Sequence, residues 1–156
     1  VIEFPGNQDL IVSSAVLQWA ADLRGLLTRL AGLLRPGGVL ATAAFGPSNL
    51  REILQLTGLS LCYWPVAEWQ AAVAKDCDVL SVSEDARTLW FSSARDVLRH
   101  LKQIGVNALD SQPWPPSKIT LFCRTYEATF GQNGEVPLTY HPVFIVARKR
   151  AAGGTG

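Results

Sequence analysis

Two serines at the end of a short apolar run are the first residues in the chain that could do chemistry. The run begins at Leu10 and ends in Ser13 and Ser14, a pattern typical of a buried strand whose carboxyl end opens into a site. Hydroxyl groups and backbone amides at a strand end can bind a small polar ligand, with Ala15 at the same mouth. The alternative is that the two serines only satisfy the turn that follows the strand.

The same loop continues to Gln18 and Trp19. An indole ring at this position could form one wall of a ligand site. It could equally pack beneath the next helix, because tryptophan side chains are usually well buried. The residues alone leave both interpretations open.

A second group of candidate residues lies in the C-terminal half of the chain. Tyr140 and His141 fall within a predicted last strand over residues 136–148, where neighbouring side chains face opposite ways. His141 could act as a general base or be a structural histidine. Pro142 predicts an edge position or a bulge at this point.

Three cations repeat along one predicted helix: Arg95, Arg99 and Lys102. They could bind a carboxylate or a phosphate, or they could form a solvated helix face. No metal-ligand spacing is present, and the three cysteines are too widely spaced for a CxxC pair. We expect those cysteines to be buried, reduced thiols.

The elements that must position these residues follow a strand–helix–strand order. Asp22 is the predicted N-cap of a helix that ends at the Gly37-Gly38 turn. The apolar run Val39 to Phe45 predicts a central strand covered on both faces. Short connections of this kind predict a right-handed parallel crossover and therefore an α/β domain with a strand-end site.

Composition limits the classes of protein to which the chain can belong. It has 156 residues, of which 48% are hydrophobic, and this predicts one globular domain over residues 1–150 with a disordered tail over 151–156. The net charge is +1 with dispersed basic residues, so we expect no nucleic-acid binding. No apolar run approaches the roughly 20 residues of a membrane span, and no secretory signal is recognisable. We therefore expect a cytoplasmic protein with no membrane association.

Several motifs together resemble a known family. Asp9-Leu-Ile-Val-Ser-Ser14, Leu17-Gln-Trp19 and Leu34-Arg-Pro-Gly-Gly38 resemble the second half of the S-adenosylmethionine-dependent methyltransferase fold. Four further motifs resemble the biotin-synthesis enzymes that methylate the free carboxyl of malonyl-acyl-carrier protein. They are Phe45-Gly-Pro-Ser-Asn-Leu-Arg-Glu52, Thr88-Leu-Trp-Phe91, Leu98-Arg-His-Leu-Lys-Gln-Ile-Gly105 and Pro137-Leu-Thr-Tyr-His141. The resemblance extends from about Asp9 to Arg150.

The resemblance implies a partial Rossmann-like methyltransferase fold of the α/β class. It contains the C-terminal half of the sheet with a helical insertion at about 47–104 over the active site, and it lacks the N-terminal cofactor-binding strands. The cofactor implied is S-adenosylmethionine, in the complete enzyme. The implied cofactor-binding residues are Ser13, Ser14, Ala15, Leu17, Gln18 and Trp19. The implied substrate-binding residues are Trp90, Lys102, Tyr140 and His141, while no catalytic residue is assigned.

The resemblance also implies a function, which is methyl transfer to malonyl-acyl-carrier protein by a longer parent enzyme. We expect the 156-residue chain to be inactive when isolated. Two alternatives stay open: a methyltransferase of the same superfamily that acts on a small molecule, and a non-catalytic module that binds a carrier protein or another partner. Without preceding strands, the Leu10–Ser13 strand would have a bare edge, and this predicts a homodimer.

Overall fold

A computed structural model describes residues 5–106 and 114–151 of the chain. The predicted tail is described only at Ala151, and residues 152–156 lie outside the described part. The strands are β1 (Gln8–Ser14), β2 (Leu34–Phe45), β3 (Cys77–Glu84), β4 (Arg87–Phe91), β5 (Val136–Tyr140) and β6 (Pro142–Lys149). The α-helices are α1 (Leu23–Leu33), α2 (Arg51–Thr57), α3 (Val66–Val73), α4 (Ala94–Gln103) and α5 (Pro116–Phe130). None of the helices in the described ranges is long and apolar enough to cross a membrane.

The chain forms two compact units. Of the described residues, the sheet unit comprises 5–47, 62–85 and 142–151, and the helical unit comprises 48–61, 86–106 and 114–141. The predicted insertion at 47–104 and the predicted single domain over 1–150 stay predictions.

The sheet unit contains a four-stranded sheet in the order β1-β2-β6-β3. The pair β1–β2 is parallel, as the strand–helix–strand pattern predicts, with Val12 opposite Ala41. Strand β6 is antiparallel to both of its neighbours, β2 and β3. The last strand of the chain therefore lies inside the sheet, between two strands that run the other way.

Two helices cover one face of this sheet. The predicted cap of α1 is confirmed, because the Asp22 carboxylate accepts a hydrogen bond from the Gly25 amide at 2.9 Å. Leu27 of α1 and Trp69 of α3 belong to the same buried cluster as Leu40 and Ile145 of the sheet. The prediction that Val39 to Phe45 is covered on both faces is wrong: Leu40, Thr42 and Ala44 are buried, but the alternate residues are only half-buried. The reason is that α1 and α3 pack on the same side.

The guanidinium of Arg150 closes the end of α3. It donates to the Ala74 carbonyl at 2.6 Å, to the Lys75 carbonyl at 3.0 Å and to the Asp78 carboxylate at 2.9 Å. The last carbonyls of a helix have no partner within the helix, so a planar group with several N–H donors stabilises this end.

The helical unit packs α2, α4 and α5 around a two-stranded antiparallel sheet of β4 and β5. Its core contains Val97, Leu101, Tyr126 and Leu138. The Tyr126 hydroxyl donates to the Pro137 carbonyl at 2.6 Å. This bond satisfies a polar atom that would otherwise be buried without a partner.

The predicted last strand over 136–148 is wrong as a single element. Residues 136–140 form β5 of the helical unit and residues 142–149 form β6 of the sheet unit, with His141 between the two strands. Pro142 accounts for the break, because it lacks the N–H that a continuing ladder needs. Tyr140 and His141 therefore do not alternate across one strand.

Candidate functional site

The serines of the first candidate group lie at the carboxyl end of β1, where the sequence places them. Ser13 lies opposite Thr42, and Ser14 lies opposite Ala43. The Ala15 amide donates to the Ala43 carbonyl at 2.9 Å, and Ala15 has a φ of 54°. A left-handed conformation at a non-glycine residue is uncommon and is found often at functional sites. Here it marks the point where β1 ends and the loop begins.

A single 3₁₀ turn, Leu17–Trp19, follows this bend. Leu17 is buried, and the Gln18 side chain folds back so that its Nε2 donates to the Ala15 carbonyl at 2.7 Å. Gln18 Oε1 is buried without a hydrogen-bond partner among the described residues. Trp19 is 47% exposed, so its side chain is not packed beneath the helix. The turn thus offers one unsatisfied acceptor and one exposed aromatic ring.

In the helical unit, Tyr140 is joined to a histidine that the sequence analysis did not select. The Tyr140 hydroxyl lies 2.8 Å from His100 Nε2, and the Phe91 ring packs against the same imidazole with centroids 5.2 Å apart. The three residues come from β5, α4 and β4. His100 follows Val97 by three positions, and this spacing places it beside the apolar face of α4, a signal that was available in the sequence.

His141 is 8% exposed, and two neighbouring residues fix its position. The Ser48 amide donates to His141 Nδ1 at 3.1 Å, and the His141 amide donates to Asn49 Oδ1 at 3.2 Å. Because a backbone N–H can only donate, Nδ1 is the acceptor and the ring proton lies on Nε2. Nδ1 is therefore already engaged as an acceptor from the backbone.

A buried carboxylate accepts hydrogen bonds from the end of β5, close in the chain to His141. Glu52 is 3% exposed and accepts hydrogen bonds from the Thr139 amide and the Thr139 hydroxyl. Leu50, just before α2, has a φ of 53°, and its amide donates to the Thr139 carbonyl at 2.8 Å. The sequence includes Glu52 in the motif that ends there but gives no sign of its burial, because Arg51-Glu52 is typical of an exposed first helical turn.

The other two predicted substrate residues are exposed. Trp90 lies on β4 opposite Pro137, and Lys102 lies in the last turn of α4. Neither side chain has a hydrogen bond to another described residue. The structure thus places Tyr140 next to His100, and it places His141 next to Ser48 and Asn49. Trp90 and Lys102 contact none of these residues through a hydrogen bond.

The expectation that all three cysteines are buried is wrong. All three are free, but only Cys77 is buried, and Cys62 is exposed. Burial raises the pKa of the Cys77 thiol, which keeps it protonated and unreactive at neutral pH. Within residues 5–106 and 114–151, no group of three or more His, Cys, Asp and Glu side chains is arranged to hold a metal ion.

The fold of the chain is that of the methyltransferases, as the resemblance implied. A protein from Bacillus halodurans assigned as a methyltransferase superposes with a TM-score of 0.63 at 12% identity, covering 97% of this chain and 68% of that one. The cyclase SpnF superposes with a TM-score of 0.54 at 13% identity, covering 97% of this chain and 53% of its own. Since a cyclase shares the fold, the fold alone does not define the reaction.

Relatives with higher sequence identity indicate which methyltransferases the chain is similar to. The chain is 41% identical over 147 residues to malonyl-acyl-carrier protein O-methyltransferase of Prosthecochloris aestuarii, covering 94% of this chain and 55% of that protein. It is 40% identical over 149 residues to the enzyme of that name from Chlorobium luteolum, covering 96% and 57%. No family model matches the chain. The chain is thus related to the malonyl-acyl-carrier protein O-methyltransferases, which confirms the recognition from its motifs, and it spans about half the length of these relatives.

Proposed function

We propose that the chain is the C-terminal part of an O-methyltransferase that methylates the free carboxylate of malonyl-acyl-carrier protein in biotin synthesis. The observation that carries this proposal is the 41% identity to an enzyme of that name over 94% of the chain. The fold supports it at a coarser level, since it accommodates methyl transfer without requiring it.

The loop after β1 fits the proposed cofactor, S-adenosylmethionine. This molecule supplies an electrophilic methyl group on a sulfonium, and it also carries an ammonium group and hydroxyl donors. Gln18 Oε1 is a buried acceptor that lacks a partner in the described part of the chain, and buried acceptors are rarely left unpaired. Ser13 and Ser14 add hydroxyl groups at the same strand end. We assign Ser13, Ser14, Ala15, Leu17, Gln18 and Trp19 to the cofactor side of the site.

The chemistry explains why no strong base is needed. In methyl-ester formation, a carboxylate oxygen forms a bond to the methyl carbon while the carbon–sulfur bond breaks and sulfur keeps the electron pair. A carboxyl group is already ionised at neutral pH, so no proton must be removed first. The protein then needs to align the reactants and exclude water. The engagement of His141 Nδ1 by the Ser48 amide agrees with a pocket role for this histidine instead of a role as base.

The substrate side of the proposal rests on the helical unit. We assign Trp90, Lys102, Tyr140 and His141 to substrate contacts, with Tyr140 oriented by the His100 imidazole. A hydroxyl group held in this way keeps a fixed direction.

The direct test is an assay of the complete enzyme that contains this chain. We expect methyl transfer from S-adenosylmethionine to malonyl-acyl-carrier protein and none to free malonate. Transfer only to a small acid would favour the small-molecule methyltransferase, and carrier binding without any transfer would favour the non-catalytic module. Either result would overturn the proposal.

The cofactor assignment has its own matched test. Gln18→Leu in the complete enzyme removes the buried acceptor, and we expect KM for S-adenosylmethionine to rise about tenfold. Gln70→Leu is the control, because Gln70 is an exposed residue of α3 in the same unit. Equal KM values for the two variants would remove Gln18 from the site.

The isolated chain should not bind the cofactor, because the resemblance places the remaining cofactor contacts outside these 156 residues. Isothermal titration calorimetry of the chain with S-adenosylmethionine checks this expectation. Low-micromolar affinity would show that the chain carries a sufficient site.

We further propose that the 156-residue chain forms a homodimer through β1. This strand is at the end of the described sheet, and its Leu10 and Val12 are 56% and 67% exposed. An apolar strand at a sheet edge pairs readily with another chain. Light scattering of the purified chain should give the mass of a dimer, and a monomer would refute the proposal.

A further inference from the structure

The end of β5 is held by one short segment that lies far away in the sequence. Residues 48–52, which we call the strand-end segment, precede their partners at 139–141 by 87 to 93 positions. Five hydrogen bonds join the two stretches of chain. Both stretches belong to the helical unit.

These bonds fix the main chain on both sides of Tyr140. On the side before it, the Thr139 amide donates to the Glu52 carboxylate at 2.9 Å, and the Thr139 hydroxyl donates to the same carboxylate. On the side after it, the His141 amide donates to Asn49 Oδ1 at 3.2 Å. The position of Tyr140 on the strand end is therefore set by two side chains of the strand-end segment.

The strand-end segment contains two features that cost stability. Leu50 has a φ of 53°, in the left-handed region that a leucine rarely adopts. Glu52 is only 3% exposed, and the desolvation of a buried carboxylate offsets much of what its hydrogen bonds contribute. Well-packed apolar side chains of similar volume are often as stable as a buried charged group. Strained backbone and costly polar burial of this kind are expected where a site needs a fixed geometry.

We infer that Asn49 and Glu52 are positioning residues, which hold Tyr140 and His141 in the orientation that the methyl acceptor requires. This inference rests on the proposed function, in which Tyr140 and His141 contact the substrate. Asn49 and Glu52 are each 3% exposed, and they act through their hydrogen bonds to residues 139 and 141. The Ser48 amide adds to this effect by donating to His141 Nδ1. Because methyl transfer depends on the alignment of the two reactants, a shift of this strand end lowers the rate.

The test measures steady-state kinetics of the complete enzyme at a temperature at which circular dichroism shows every variant to be folded. In Asn49→Ala the His141 amide loses its acceptor, and we expect kcat/KM for the methyl acceptor to fall about tenfold. Glu52→Ala should have an effect at least as large, and Glu52→Gln, which keeps one acceptor for Thr139, should restore part of the loss. KM for S-adenosylmethionine should stay the same in all three variants, because neither residue belongs to the proposed cofactor side.

The matched control is Phe122→Leu, which removes part of a buried ring of α5 from the core of the same unit. It should lower stability and leave kcat/KM for the acceptor as it is. Acceptor kinetics that change no more in Asn49→Ala than in Phe122→Leu would overturn the inference, and so would an equal change in KM for S-adenosylmethionine. If the unmodified enzyme methylates only a small acid, the proposed function fails, and the same comparison with that acid still decides the role of the two residues. An enzyme that transfers no methyl group at all would overturn both.

Discussion

Each unit has an apolar core, but the two units differ in their buried polar atoms. In the helical unit the buried polar side chains are tied to the strand end: Glu52 accepts two bonds from Thr139, and Asn49 accepts one from the His141 amide. In the sheet unit, three buried side-chain atoms have no partner in the described ranges. They are Gln18 Oε1, Thr42 Oγ1 and Trp69 Nε1.

The two units therefore differ in whether their buried polar side chains have hydrogen-bond partners within the unit. In the helical unit the polar network is satisfied within the unit, so it fixes the end of β5 whether or not a substrate is present. In the sheet unit the acceptor of Gln18 has no partner among the described residues, as the proposed role of Gln18 in cofactor binding requires. The structure offers no partner for Thr42 and Trp69 within the described residues.

The largest expected effect comes from removing the centre of the satisfied network. Glu52→Ala leaves the Thr139 amide and hydroxyl buried without an acceptor, and we expect the free energy of unfolding to fall by about 3 kcal/mol. Glu52→Gln keeps one acceptor and should lose about 1 kcal/mol. Denaturation in urea measures both. If Glu52→Ala loses less stability than Glu52→Gln, water must accept the bonds of the Thr139 amide and hydroxyl in place of the carboxylate.

The same substitution in both units gives a sharper comparison. Thr139→Val removes a hydroxyl that donates to Glu52 and should cost about 2 kcal/mol. Thr42→Val removes a buried hydroxyl without a described partner and should be neutral or stabilising. Equal losses in urea denaturation would mean that Thr42 has a partner after all, and the contrast between the units would disappear.

A smaller effect is expected at the surface of the sheet unit. Arg150→Lys keeps the charge but loses the planar group that reaches both the Ala74 and Lys75 carbonyls, so we expect a loss of about 1 kcal/mol. Arg148→Lys, at an exposed position of β6, is the control and should change little. Thermal melts of the two variants should differ by a few degrees, and superimposable melts would rule out the helix-end role.

The smallest effect is expected from pH. Burial raises the pKa of Cys77 above its usual value of 9.0, so the folded state retains a proton that the unfolded state releases. The free energy of unfolding should therefore be constant below the usual pKa and should fall as pH rises through and above it. Cys77→Ala should flatten this alkaline decline. An unchanged slope in denaturation between pH 8 and 10 would contradict the raised pKa.

Much of the sheet unit could be predicted from the sequence. The cap at Asp22, the parallel pair β1–β2 and the serines at the strand end all follow from local patterns, because period, capping and strand-end polarity are properties of neighbouring residues. The motifs also predicted the relationship to the malonyl-acyl-carrier protein O-methyltransferases, which the sequence relatives confirm. The helical unit was harder, since Glu52 and His100 act through partners 87 and 40 positions away.

What the sequence by itself determined is the α/β order, the strand-end position of Ser13 and Ser14, and the relationship to the malonyl-acyl-carrier protein O-methyltransferases. Only the tertiary structure decided that residues 136–149 form two strands in two units, with His141 between them. It alone also decided that Gln18 has a buried, unpaired acceptor while Glu52 is satisfied. The physical reason is that burial and hydrogen-bond partnership depend on residues distant in the chain, which no local pattern records.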